Sequence, residues 1–176
     1  YKVMGEKKVV TRGLIDYPDY KKDVENDEAL VNDLWKVFDD ADILIGHNGD
    51  AFDIRKSNSR FLTHKLPPPS PYKTVDTLKV ARQKFGFMSN KLDDLGEQLG
   101  LGRKLKHDGF EMWRGCMAGD PKAWKHMLKY NFQDVILLEK VYNHFLPWMS
   151  GHPSVSIFAE GTMCPKCGSK DLQSRG

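Results

Sequence analysis

At 176 residues the chain has room for one domain with a sizeable core and a short appendage. Apolar residues make up 40% and charged residues 29%, the balance of a soluble globular protein, and a net charge of +3 is too small to identify a polyanionic partner by itself. No apolar run approaches the roughly 20 residues of a membrane helix, no charged-then-apolar leader opens the chain, and three cysteines are too few for a disulfide scaffold, so a cytoplasmic protein with no membrane partner is expected.

Lys8 to Ile15 is rich in β-branched residues and predicts a strand. After a polar loop, Asn26 is placed to cap a helix over 27–39, with Asp27 and Glu28 in its first turn and Leu30, Leu34, Val37 and Phe38 recurring at helical spacing. Ala41 to Gly46 is short, apolar and flanked by polar residues, the pattern of a buried strand. A second helix is expected to end near Leu66, before the prolines of 67–71, which read as a stiff connection. Thr74-Val75 predicts the next strand, and Asp76 a cap for a helix over 77–85. A short helix after Asn90 should stop at Gly100. Asp120-Pro121 marks a further helix start, with apolar periodicity persisting to about Met149. A single helix of that length would exceed about 40 Å, so a break near Tyr130-Asn131 is expected. Cys116 reads as a reduced core residue, and Trp35, Trp113, Trp124 and Trp148 as core or interface packing. Strands interleaved with helices indicate an α/β domain over 1–150, followed by a linker and appendage over 151–176.

Two segments carry candidate chemistry. In Gly46-His-Asn-Gly-Asp-Ala-Phe-Asp53 a strand ends, the backbone turns through glycine, and a carboxylate falls where a helix begins, a place where α/β proteins collect functional groups. The competing reading is a polar turn. In Tyr130-Asn-Phe-Gln-Asp134 the tyrosine and aspartate sit one helical turn apart on one face. Asp53 lies between Phe52 and Ile54, and Asp134 precedes the apolar run 135–138. A carboxylate near apolar surface is costly unless it is paired or binds a cation. Two such aspartates from different helices suit a divalent metal centre, against the alternative of two capping or salt-bridged aspartates.

Asn48-xxx-Phe52-Asp53 followed by Tyr130-xxx-Asp134 resembles the second and third motifs of the DEDD 3′→5′ exonuclease superfamily, in its tyrosine-bearing (DEDDy) branch. Val75-Asp-Thr-Leu78 and the segment 90–100 resemble its connecting segments, as found in bacterial and phage ribonuclease-H-like proteins. The resemblance covers about residues 1–150 and implies a ribonuclease-H-like mixed sheet flanked by helices. It also implies a metal-dependent 3′→5′ exonuclease acting on single-stranded or 3′-ended DNA or RNA through two Mg2+ or Mn2+ ions. Carried onto this chain, Asp53 and Asp134 are metal ligands, Tyr130 orients the attacking water, and Asn48 and Phe52 line the terminal nucleotide.

The superfamily's first motif, Asp-x-Glu on a buried strand, is not matched. Asp23-Val-Glu25 fits literally, but Lys21-Lys22 and Asn26-Asp27 around it mark a solvated loop. Resembling chains carry the motif upstream of the position of Tyr1, so N-terminal strands are expected to be missing, through truncation or true loss. The alternative class is a catalytically inactive nucleic-acid-binding or assembly module; the tyrosine argues against an endonuclease or resolvase. Cys164-Pro-Lys-Cys167-Gly reads as half a zinc ribbon, with Zn2+ the implied ion and two ligands lacking. Arg103, Lys104 and Lys106, after a glycine turn, are candidates for phosphates of the entering strand, whereas Lys122, Lys125 and Lys129 share one face that reads equally well as solvated surface. His47, beside the second motif, reads as structural.

Overall fold

Two short parallel strands, joined through a helix, fix the position of everything that follows. The computed structural model describes residues 1–103, 109–158, 161–165 and 168–172. In chain order its elements are α1 (Glu28–Asp39), β1 (Ile43–Gly46), α2 (Asp53–Thr63), β2 (Lys73–Asp76), α3 (Thr77–Lys84), α4 (Leu92–Gln98), α5 (Phe110–Met117) and α6 (Pro121–Phe145). β1 and β2 pair in parallel with Gly46 opposite Asp76, so both strands end at one level.

The period of two in β1 sorts the helices into layers. Leu44 packs into a cluster with Val31 and Phe38 of α1 and Phe61 of α2, while Ile43 and Ile45 join Val75, Leu95, Leu137 and Val141 on the other side. Helices thus cover both faces, as parallel strands require. Phe38 meets Phe61 and Tyr72 edge-on, with ring centroids 5.3 and 5.7 Å apart. Asp27 ties the two helices of this layer together, accepting from Arg60 Nε at 2.7 Å beside His64.

Several expectations change. The strand expected over 8–15 is reduced to an antiparallel bridge between Lys2 and Val9, followed by a 3-10 turn at Leu14–Asp16. The turn has two causes: Asp16 Oδ2 accepts the Gly13 N–H at 2.8 Å, and Gly13 lies flat on the Trp124 ring, where a Cβ would sit 2.7 Å from a ring carbon. The sheet is therefore parallel among the described residues, not mixed, apart from that bridge. β1 is half-buried along its length rather than fully buried. The expected break in the last helix is absent, and α6 runs unbroken for 25 residues. No glycine or proline interrupts it after Pro121, and Asn131 donates its amide to the Met127 carbonyl at 3.1 Å, bonding within the helix instead of capping a new one. Its length of about 37 Å is used twice: Met127 packs against Met112 and Cys116 of α5, and Leu137, Val141 and Phe145 pack under the sheet. Cys116 is a buried core residue. Trp113 and Trp148 are 56% and 63% exposed, so neither is core, although Trp148 meets Phe85 edge-on. Long as α6 is, no helix among the described residues is long and apolar enough to cross a membrane.

Helices α5 and α6 touch where Gly115 faces Ala123; a Cβ at Gly115 would lie 2.6 Å from that of Ala123. Helix propensity alone favours alanine by about 1 kcal/mol, but overpacking of this contact costs about 1–3 kcal/mol. Gly115→Ala is therefore expected to lower stability, read as a reduced urea midpoint at unchanged m-value. A raised midpoint would show that the hairpin is loosely packed.

Candidate functional site

The loop that leaves β1 is folded tightly against the strand's own end. Gly49 is buried with its backbone on Gly46, where a Cβ on either would approach the other's Cα within 3.1–3.3 Å. Asn48 takes a left-handed φ of 64°, a conformation asparagine tolerates better than most residues. The Asn48 carbonyl then accepts the Phe52 N–H at 3.1 Å, and the Gly49 carbonyl accepts the Ile54 N–H at 2.9 Å, which starts α2 with Asp53 as its first residue.

Asp76 organises this loop, and sequence reasoning had given it only a capping role. It does cap α3, accepting the Leu78 N–H at 3.0 Å. The same carboxylate, 6% exposed, also accepts the Asn48 N–H at 2.8 Å and the Asp50 N–H at 3.3 Å. The available signal was its position: a carboxylate ending one parallel strand faces the loop that leaves its neighbour. His47 completes the frame as the structural residue expected. Its Nδ1 lies 2.9 Å from Thr77 Oγ1, its Nε2 donates to the Asn90 carbonyl at 2.9 Å, and Thr77 donates to the Gly46 carbonyl at 3.0 Å.

Asp53 is exposed by surface area, yet its carboxyl pKa is raised, first by the protein packed against its inner side and then by the charge of Asp76, with a backbone hydrogen bond pulling the other way. Phe52 beside it is 56% exposed and presents its ring to solvent, and Asn48 is exposed as well. The loop thus brings Asn48, Phe52 and Asp53 together. Tyr130 and Asp134 lie one turn apart in the middle of α6, both half-buried, with Asp134 Oδ1 enclosed by protein. Three residues after Asp134, Leu137 enters the cluster that also holds Ile45 and Val75, the residues just before Gly46 and Asp76. Helix α2, which begins at Asp53, packs instead in the cluster of Val31, Phe38 and Phe61, so the two aspartates emerge from helices on opposite faces of the sheet.

Other candidates fall elsewhere. Arg103 is paired with acidic residues of α4, its Nη2 2.7 Å from Glu97 and its Nε 3.9 Å from Asp93, so a phosphate would compete with carboxylates for it. Lys104 and Lys106 lie outside the described residues. Lys122, Lys125 and Lys129 are exposed. Asp23 and Glu25 sit in an exposed loop where Asp23 accepts the Glu25 N–H. Cys164 closes a tight turn, accepting the Gly168 N–H at 2.9 Å and donating its own N–H to the Ser169 carbonyl at 2.8 Å; Cys167 lies outside the described residues. Among the described residues no group of three or more His, Cys, Asp or Glu side chains is arranged to hold a metal ion. Carboxylate oxygens are hard donors of the kind Mg2+ and Mn2+ take, and Asp53 lies within reach of the Asp76 charge, but the Asp76 oxygens are occupied by backbone N–H groups.

A family model described as RNase_H superfamily matches residues 4–146, which takes in both strands and α1 through α6. A comparison with curated proteins finds no match.

A carboxyl that binds its proton more tightly in the folded than in the unfolded state stabilises the fold at low pH. That contribution is lost as pH rises through the folded-state pKa. At neutral pH ionised Asp53 thus opposes folding, and Asp53→Asn is expected to raise the melting temperature, with the gap closing as pH falls below the carboxylate range. A lower melting temperature for the variant at neutral pH would mean that Asp53 is a structural residue.

Proposed function

This chain belongs to the RNase H superfamily, and from that premise we propose that it is a metal-dependent 3′→5′ exonuclease of the tyrosine-bearing DEDD type, acting on 3′-ended single strands of DNA or RNA. The superfamily consists generally of nucleases, usually with Mg2+ or Mn2+. The observation that carries the finer reading is the strand-end loop, which puts a carboxyl of raised proton affinity beside an exposed aromatic ring and an exposed amide side chain.

In this reading Asp53 and Asp134 hold divalent ions. Bound ions would neutralise charge on the scissile phosphate and polarise the bond to be broken. Phe52 stacks on the terminal base, and Asn48 fixes its sugar or base edge by hydrogen bonding. The Tyr130 hydroxyl, one turn before Asp134, orients the attacking water. The exonuclease pattern that this reading follows has two further carboxylates on an Asp-x-Glu strand, which residues 1–176 do not match. A groove of about 790 Å³ beside β1 is walled by Ile43, Ile45, Val135 and Leu138 and also by Tyr1 to Met4 of the chain itself. The lack of a three-ligand group among the described residues favours a second reading, a nucleic-acid-binding module without catalysis.

Single-turnover cleavage of a 3′-labelled oligonucleotide with Mg2+, by the natural full-length protein, separates the two. Cleavage from the 3′ end is expected, and binding without cleavage supports the module. Asp134→Asn keeps shape and removes charge, and should abolish turnover with the fold intact; a near-normal rate would remove Asp134 from the site. Tyr130→Phe keeps the ring and should slow the chemical step roughly 10²-fold or more with little change in oligonucleotide affinity. An unchanged rate would exclude the hydroxyl and the tyrosine-branch assignment with it.

A further inference from the structure

We propose that Asp76 is a positioning residue: its buried carboxylate sets the conformation of the 47–50 loop and, through it, the placement of Asn48, Phe52 and Asp53.

If Asp76 served only to cap α3, one bond to Leu78 would suffice, and a serine, threonine or asparagine would supply it equally well. The carboxylate does more than that. Oδ1 is shared between the Leu78 and Asn48 N–H groups, and Oδ2 points to the Asp50 N–H. A carboxylate buried to this degree is costly unless its lone pairs are used, and bonds from peptide N–H groups to an ionised acceptor are the stronger kind. Two of its three donors belong to the loop, which is reached across the sheet because Asp76 stands opposite Gly46 in the parallel register.

From those two amides the constraint passes on through the backbone. Asn48, held in its left-handed conformation, offers its carbonyl to Phe52, and Gly49, packed on Gly46, offers its carbonyl to Ile54. Asp53 lies between the two donors, Phe52 and Ile54, so its backbone is held in place with theirs. His47 and Thr77 pin the strand end upstream, so Asp76 holds the part of the loop that would otherwise move. Asp50 also forms an ion pair with Lys79 at 2.6 Å, but the lysine is 59% exposed, and exposed pairs of this kind are screened by solvent and hold a loop only weakly. The inner carboxylate is the stronger tie.

The inference rests on the nuclease reading only for its effect on turnover; its structural part stands apart from it. Asp76→Ser keeps an oxygen able to cap Leu78 but too short to serve the loop as well. Asp76→Asn keeps one acceptor oxygen and places a donor amide where the Asp50 N–H needs an acceptor. In both variants amide hydrogen exchange at Asn48 and Asp50 should accelerate at least tenfold, with Leu78 less affected in Asp76→Ser. In the natural full-length protein, single-turnover cleavage should fall roughly 10²-fold, the loss expected for displacement of a site by about 1 Å, with oligonucleotide affinity changed far less. Asp76→Asn should lie between Asp76→Ser and the parent. Unchanged protection at Asn48 and Asp50 in a folded variant of either kind would reduce Asp76 to a helix cap and overturn the proposal. If the parent protein cleaves nothing, the nuclease reading fails, while the exchange rates still decide the role of Asp76.

Discussion

A negative charge buried where two parallel strands end has to find donors, and in this chain it finds them in the backbone. Asp76 takes three peptide N–H groups from two separate segments, the start of α3 and the loop after β1. The parallel register puts that carboxylate opposite Gly46, and the missing side chain of Gly46 lets the loop fold back closely enough to reach it. The conformation of the loop and the start of α2, where Asp53 stands, follow from this contact. The layers above and below act as a support: Leu44 is locked into one helical layer and Ile43, Ile45 and Val75 into the other, which leaves the strand ends little freedom to shift.

The site also carries a cost to the fold that a purely structural arrangement would avoid. Asp53 and Asp76 are close enough for each charge to act on the other, and no lysine or arginine among the described residues pairs with Asp53. Asp27, by contrast, is matched by Arg60 and Asp50 by Lys79. A carboxyl of raised proton affinity without such a cation is the kind of group that functional sites hold. Membership of the RNase H superfamily suggests a nucleic acid as the class of substrate.

Local signals were legible in the amino-acid order. The spacing of Leu30, Leu34 and Phe38 marked α1, Asp120-Pro121 marked the start of α6, and Gly100, at φ 67°, ended the α4 segment as expected. Asn48, Phe52 and Asp53 were readable as a group because they are neighbours in sequence. What escaped depends on contacts between distant segments. The bond from Asn48 to Asp76 spans 28 residues and has no local signature beyond an aspartate after a strand. The turn at Gly13 is imposed by the Trp124 ring on α6, so a β-branched run that favours a strand stops early. The unbroken α6 was misjudged because length was weighed against the size of one core, whereas the helix serves two clusters in succession.

The proposed nuclease requires Asp53, at the start of α2, and Asp134, midway along α6, to contribute to one divalent-ion site. Mn2+ titrated into the isotope-labelled protein, with paramagnetic broadening of backbone amide signals followed by NMR, tests this without any need for turnover. Signals around Asp53 and around Asp134 should broaden together at the lowest Mn2+ concentrations, and Asp134→Asn should remove the effect at both places. Broadening confined to one of the two, or appearing first at exposed carboxylates such as Asp23 and Glu25, would contradict a shared site.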